Sequence, residues 1–136
     1  MHHRPSPKEL DKQLRRAREA LSLPLPAVVI IDVFKWDQNW DEFRRYIGLD
    51  YESVSLQQDR FGILLNCLQE VRYQDHRWLG KRIFSNKRGF ESVELFEFRW
   101  LSTVWVSKRL YIKFGFKSGK LCMLSFHPDR PEKTMS

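Results

Sequence analysis

The chain has 136 residues, of which 42% are hydrophobic and 14% aromatic. This composition excludes a disordered tail or a low-complexity scaffold, and the length suffices to bury a core without disulfides or metals. No apolar run approaches the roughly 20 residues that cross a bilayer, and the N-terminus lacks the apolar segment of a secretion signal. We therefore expect a cytoplasmic protein that makes no use of a membrane.

The net charge of +7 is unevenly distributed along the chain. Residues 1–26 hold six basic and three acidic residues, residues 27–76 hold five and nine, and residues 77–136 hold thirteen and five. Such an asymmetry is typical of proteins that bind polyanions, nucleic acids above all. The alternative is a basic domain that attracts no particular partner.

The two cysteines, Cys67 and Cys122, each lie in an apolar run. They are expected to be buried, reduced thiols, because two cysteines alone cannot form a zinc site and nothing requires them to meet. We expect neither a metal nor another cofactor.

The first predicted element is a basic helix over residues 8–21. Leu10, Leu14, Ala17 and Leu21 form one narrow apolar stripe, and Lys and Arg residues surround it. The stripe is expected to pack on its own domain or on a second copy, which would give self-association; a nucleic-acid-binding arm is a further alternative. Residues 1–26 are therefore treated as a helical extension of a single domain over residues 27–136.

The next elements are a strand and two helices. The β-branched run at 27–34 predicts a central strand. Residues 36–49 predict a helix with Asp37 or Asn39 as its cap and Gly48 at its end. Residues 55–75 predict another helix, whose core-facing side chains are Leu56, Ile63, Leu64, Cys67, Leu68 and Val71.

A basic loop at 77–90 separates the helices from the C-terminal strands. Residues 92–100 predict a strand, and residues 101–108 either extend it or open a hairpin. Residues 109–130 predict two more strands joined by a tight turn at Gly119. The predicted fold is α+β, with a small antiparallel sheet made of the C-terminal strands and one N-terminal strand, and with helices on one face.

Strand alternation divides the side chains between the two faces of this sheet. The predicted core face consists of Phe96, Phe98, Trp100, Leu110, Ile112, Phe114, Phe116, Cys122, Leu124 and Phe126. The opposite face is predicted to carry Glu97, Arg99, Tyr111, Lys113, Ser125 and His127, with Asp129 and Arg130 just beyond the last strand.

The polar face has the residue types that cleavage of an RNA phosphodiester needs. His127 has the pKa range for proton transfer, while Arg99, Lys113 and Arg130 are suited to bind phosphate, and Tyr111 to stack on a base or donate a proton. Each also has a structural interpretation: His127 as a turn residue, and Glu97, Arg99 and Lys113 as cross-strand ion pairs.

The motifs "VELFEFRW", "KRLYIKF" and "LCMLSFHPDRPEK", at residues 93–133, resemble the C-terminal half of the RelE/ParE/HigB superfamily of bacterial toxins. The resemblance implies a compact toxin neutralised by a cognate antitoxin. Many such toxins cut messenger RNA on the ribosome without metal, and ParE-like members inhibit DNA gyrase instead. It also implies that Arg99 stabilises phosphate and that Lys108 or Arg109 corresponds to the basic residue at the start of the family's second motif. His127 would correspond to the histidine that several nucleases of this group have at the end of the last strand.

The chain departs from this family pattern in three ways. The helix at 8–21 lengthens it, residues 101–108 lengthen a usually short connection, and Pro128 replaces a familiar tyrosine.

The leading hypothesis is a ribosome-dependent endoribonuclease toxin. In it the catalytic set is His127, Arg99, Arg130, Tyr111 and Lys113, and the nucleic-acid-binding set is Lys81, Arg82, Lys87, Arg88, Lys108 and Arg109. The alternatives are a gyrase-binding or nucleic-acid-binding protein of the same fold without enzymatic activity, an accessory subunit of a nucleoprotein complex, and a self-associating structural domain.

Overall fold

The computed structural model describes residues 3–105 and 107–130 and has an α+β architecture. The helices are α1 (Pro7–Ser22), α2 (Val33–Ile47) and α3 (Gln57–Leu68), and short 3-10 turns span Tyr51–Val54 and Tyr73–Asp75. The strands are β1 (Val28–Ile30), β2 (Ile83–Phe84), β3 (Glu94–Ser102), β4 (Lys108–Lys117) and β5 (Lys120–Pro128). Residues 131–136, which the predicted domain includes, lie outside the described residues.

The five strands form one sheet in the order β1-β5-β4-β3-β2. The pairs β2–β3, β3–β4 and β4–β5 are antiparallel, whereas β1 runs parallel to β5. The predicted α+β class with an N-terminal strand and a C-terminal meander is confirmed. The predicted antiparallel sheet is wrong in one respect: the sheet is mixed, because β1 runs parallel to β5. A parallel pair needs a long crossover connection, and the segment with the helices between β1 and the meander provides it.

Helix α1 packs into the same hydrophobic core as the rest of the protein. Its predicted stripe of Leu10, Leu14, Ala17 and Leu21 is buried there with residues of α2, α3 and the sheet. Ser6 caps the helix by accepting a hydrogen bond from the Glu9 amide at 3.1 Å. The stripe therefore packs on its own domain, and it is not available as a seam for self-association.

The predicted strand at 27–34 is wrong in its second half. Only Val28–Ile30 is a strand, and α2 begins at Val33 with Asp32 as its cap. The Asp32 carboxylate accepts a hydrogen bond from the Lys35 amide at 3.0 Å, so neither Asp37 nor Asn39 is the cap. Gly48 ends the helix with a φ of 90°, as predicted.

Helix α3 is shorter than predicted and ends at Leu68. Leu64, Cys67, Leu68 and Val71 are buried and Ile63 packs against them. Leu56 was wrongly placed in the core, since it precedes the first turn and its side chain is 55% exposed.

A β-bulge changes the predicted faces of β5. Lys113 pairs with Ser125, but the next residue, Phe114, pairs with Met123, so Leu124 has no partner opposite it. The extra residue reverses the alternation. Leu121 and Met123 consequently join the main core, whereas the prediction that Cys122 and Leu124 face it is wrong. Leu124 packs instead in a small second cluster with Val93 and Leu95.

None of the helices in the described part of the chain is long and apolar enough to span a membrane. Both cysteines are free and buried.

Candidate functional site

The sheet face opposite the main core carries a cross-strand row of Arg99, Tyr111 and His127. Arg99 pairs with Tyr111 across β3 and β4, and Tyr111 pairs with His127 across β4 and β5. The Tyr111 and His127 rings are stacked with their centroids 4.7 Å apart, and the Arg99 guanidinium lies 5.7 Å from the Tyr111 centroid. The register of the strands thus brings three of the predicted catalytic residues into contact.

A second row of Glu97, Lys113 and Ser125 runs beside the first. The Glu97 carboxylate lies 2.9 Å from Lys113 Nζ and 3.8 Å from a guanidinium nitrogen of Arg77. Burial raises the pKa of Tyr111, and the negative charge of Glu97 and its hydrogen bond with the phenol raise it further. Tyr111 is therefore a protonated phenol at neutral pH. The structural alternative of cross-strand pairing is observed for Glu97 and Lys113.

His127 has the properties of a neutral imidazole. Its Nδ1 lies 2.6 Å from the Pro128 carbonyl oxygen, which only accepts, so the proton is assigned to Nδ1 and Nε2 is left as the acceptor. Burial lowers the pKa of His127; the bond to Pro128 raises it, and the positive charge of Arg130 lowers it again. A neutral imidazole with a free acceptor nitrogen is the form that acts as a general base.

The two residues after β5 connect this face to other elements. Asp129 Oδ1 lies 3.2 Å from Arg99 Nε. Arg130 forms a two-point ion pair with Glu42 of α2, one of whose contacts, from Nε to Oε2, measures 3.2 Å. Arg99, Lys113 and Arg130 are thus each paired with a carboxylate.

The polar face is more closed than the sequence suggested. His127 is 7% exposed and Tyr111 is 8% exposed, and Glu97 and Ser125 are buried as well. The cationic side chains of Arg99 and Lys113 are about one-quarter and one-fifth exposed. A bound molecule would therefore meet the cations first and the imidazole only at its rim.

The predicted nucleic-acid-binding residues are dispersed over the surface. Lys81 and Arg88 are exposed in the loop at 77–90, and Arg109 is exposed at the start of β4. Lys108 lies 4.8 Å from the centre of the Tyr46 ring. Lys87 lies 3.6 Å from Asp32 at the start of α2.

Arg82, one of the predicted nucleic-acid-binding residues, forms ion pairs within the protein instead of facing solvent freely. Its guanidinium donates to Glu9 of α1 and Glu94 of β3, each at 2.9 Å. These carboxylates raise the pKa of Arg82, the Glu9 hydrogen bond contributing most. Arg82 therefore ties the N-terminal helix to the sheet.

Sequence reasoning missed Lys35 as part of this region. The residue lies in the first turn of α2, close enough to Lys113, Lys87 and Arg130 for their charges to affect its ionisation. The sequence carried no signal for this proximity, because the predicted strand ended at residue 34 and the predicted helix began at residue 36. Arg77, which faces Glu97, was noted only as one charge of the basic loop.

The fold and the site define a small α+β protein with a partly closed polar sheet face rimmed by cations. Within the described ranges no group of three or more His, Cys, Asp or Glu residues could hold a metal ion. No protein-family model, curated protein or solved structure matches the chain. The resemblance to the RelE/ParE/HigB superfamily stays a prediction from the motifs at 93–133.

Proposed function

We propose that the protein is a metal-independent endoribonuclease of the toxin type, which cuts messenger RNA on the ribosome and is neutralised by an antitoxin protein. The observation that carries this proposal is the row of Arg99, Tyr111 and His127, in which a neutral imidazole is stacked on a phenol beside a guanidinium. An RNA-cleaving site needs these chemical groups within a few ångströms of one another.

The proposed reaction is an intramolecular transesterification. His127 Nε2 accepts the proton of the 2′-hydroxyl, whose oxygen attacks the adjacent phosphorus. The bond from phosphorus to the 5′-oxygen breaks, the leaving oxygen takes a proton from solvent, and His127 releases to solvent the proton that it accepted. The products are a 2′,3′-cyclic phosphate and a free 5′-hydroxyl. Arg99 and Lys113 would exchange their carboxylate partners for the phosphate, on which negative charge increases in the transition state.

The test is RNA cleavage by the purified full chain with programmed ribosomes in the presence of EDTA. His127→Asn is the informative variant, since its amide can still donate to the Pro128 carbonyl but cannot act as a base. We expect His127→Asn to lower the rate at least about 100-fold and Arg99→Gln to lower it by a similar factor. Lys120→Gln, at the exposed first residue of β5, is the control.

Wild-type cleavage rates in both His127→Asn and Arg99→Gln would overturn the catalytic assignment, provided that circular dichroism shows both variants folded. Cells that express His127→Asn or Arg99→Gln should grow, whereas expression of Lys120→Gln should arrest growth as the wild type does.

A second candidate is a binding protein of the same fold that acts on RNA or gyrase without cleavage. The observation that favours it is the pairing of Lys113 with Glu97 and of Arg130 with Glu42, which a structural role explains by itself. This candidate predicts RNA or gyrase binding that is indifferent to His127→Asn, and no cyclic phosphate product.

A further inference from the structure

An exposed aromatic side chain, that of Phe34, lies at the start of α2. Phe34 is 74% exposed and lies outside both hydrophobic clusters. It lines an open cleft whose charged residues are three cations, Lys35, Arg45 and Arg130, and three carboxylates, Asp32, Asp41 and Glu42. An exposed ring beside several cations is the arrangement on which unpaired bases stack in proteins that bind single strands.

Lys35 carries a positive charge that forms no ion pair within residues 3–105 and 107–130. Among the described residues no carboxylate lies within ion-pair distance of its Nζ. Burial lowers the pKa of Lys35, and the charges of Lys113, Lys87 and Arg130 add to that effect; Asp32 opposes it. A partly buried ammonium surrounded by other cations is stabilised by binding an anion.

The neighbouring cations, Lys87 and Arg130, are held by exposed ion pairs, and replacing their carboxylate partners by another anion costs little free energy. The Lys87–Asp32 contact is 3.6 Å long and its lysine side chain is about half exposed. The Arg130 side chain, paired with Glu42, is also about half exposed. Exposed ion pairs of this kind contribute little to stability. Lys87 and Arg130 can therefore leave their carboxylate partners and bind a phosphate that enters the cleft.

The cleft adjoins the proposed catalytic row. Arg130, which lines the cleft, follows His127 by three residues, and Asn39 of the cleft accepts a hydrogen bond from the amide of Phe126, the residue before His127, at 3.2 Å. The cleft is therefore close enough to His127 for neighbouring nucleotides of one chain to occupy both places.

We propose that this cleft binds one nucleotide of single-stranded RNA, with its base stacked on Phe34 and its phosphate held by Lys35, Lys87 and Arg130. The inference rests on the proposed function, for which it names single-stranded RNA as the substrate and the cleft as the subsite next to the cleaved bond.

The test is fluorescence anisotropy with a labelled eight-nucleotide single-stranded RNA, titrated with the full chain at several salt concentrations. We expect Phe34→Ala to weaken binding about tenfold, since stacking on one aromatic ring contributes that order of affinity. Lys35→Gln should lower the magnitude of the slope of log K against log salt by about 0.7, the value for one phosphate contact on a single strand.

The matched controls are Tyr51→Ala and Lys8→Gln. Tyr51 is an exposed aromatic beyond the opposite end of α2, roughly 20 Å along the helix, and Lys8 is exposed on α1. Both controls should bind the RNA like the wild type. A blunt-ended RNA duplex should bind no more weakly to Phe34→Ala than to the wild type, because its bases cannot stack on the ring.

Wild-type affinity in both Phe34→Ala and Lys35→Gln would overturn the inference, as would equal losses in the two controls. The cleavage assay separates this result from a failure of the proposed function. Cleavage that depends on His127 but not on Phe34 or Lys35 overturns the subsite alone. RNA binding that depends on Phe34 and Lys35 without any cleavage supports the subsite and overturns the endoribonuclease.

Discussion

Two buried histidines, His76 and His127, lie at different parts of the sheet. His76 forms a bridge with Phe98 at the β3 side and its ring lies 5.5 Å from the Phe98 centroid. His127 stacks on Tyr111 on the polar face. Burial is the main cause that lowers the pKa of each ring, with Arg4 adding to it at His76 and Arg130 at His127. Both rings are therefore neutral in the folded protein at neutral pH.

These histidines predict a loss of stability in mild acid. Because each folded-state pKa is below the unfolded value near 6.5, the unfolded chain binds more protons between those two values. The two histidines therefore do not lower the free energy of unfolding above about pH 6.5. That free energy falls as the pH drops from about 6.5 toward the lower pKa values of the folded state. Urea denaturation at pH 7.5 and 5.5 measures the difference.

The variants His127→Asn and His76→Gln should each reduce that pH difference, and His3→Gln, on an exposed residue, should leave it unchanged. An identical pH difference in the wild type and both buried-site variants would contradict the prediction.

At the scale of residues, alternation along strands sufficed to predict that Arg99, Tyr111 and His127 share a face, because register follows the pleat. Their ion-pair partners were not all predictable. Glu42 meets Arg130 across 88 positions of sequence, and no local pattern encodes such a contact. The degree of burial was also missed, since exposure depends on the packing of elements distant in the chain.

At the scale of elements, β4 passes so close to the start of β3 at Gly115 that there is no room for a side chain. A Cβ atom on Gly115 would lie 2.4 Å from the Glu94 carbonyl oxygen and 2.7 Å from Val93 Cγ1. The position therefore requires glycine for space rather than for backbone conformation.

Gly115→Ala is expected to lower the free energy of unfolding by about 2 kcal/mol, because the sheet must shift to admit a methyl group. Gly62→Ala is the matched control: it lies within α3, where nothing lies within 4 Å of the added Cβ. That exchange should stabilise the protein by about 0.5–1 kcal/mol, since alanine favours a helix interior over glycine. Chemical denaturation measures both, and equal effects of the same sign would contradict the assignment.

The hairpin between β4 and β5 was predictable from its own residues. Ser118 and Gly119 have φ values of 53° and 75°, and the sequence "KSGK" favours such a turn. The boundary between β1 and α2 was not predictable in the same way. Val33 and Phe34 have strand propensity, but the Asp32 cap and burial of Trp36, Trp40 and Phe43 in the core favour the helix.

At the scale of the whole molecule, α1 is integrated into the fold by its apolar stripe and by polar contacts. Arg18 donates to the Leu68 carbonyl of α3 at 3.1 Å, and the Arg16 guanidinium lies 4.0 Å from the centre of the Phe116 ring. Glu9 meets Arg82. The sequence predicted a basic amphipathic helix with cations around its stripe, and two of those cations, Arg16 and Arg18, help to hold the helix in place.

Removal of residues 1–22 is therefore expected to abolish the cooperative unfolding transition, because it exposes the apolar side chains of α3 that the stripe covers. The loss of the transition is measured by near-ultraviolet circular dichroism of the truncated chain during a thermal scan. The double variant Lys12→Gln and Arg15→Gln, on exposed positions of the same helix, should unfold within about 3 °C of the wild type. A truncated chain with a native transition would show that the helix is dispensable.

The unpaired Leu124 has a consequence for how related chains can differ in length. The residues on either side of it, Met123 and Ser125, pair with two consecutive residues of β4, Phe114 and Lys113. A homologue lacking this single position could retain an unbroken ladder with every other side chain oriented as here. An alignment that forbids a one-residue gap at that point would offset its histidine from His127 and conceal the correspondence.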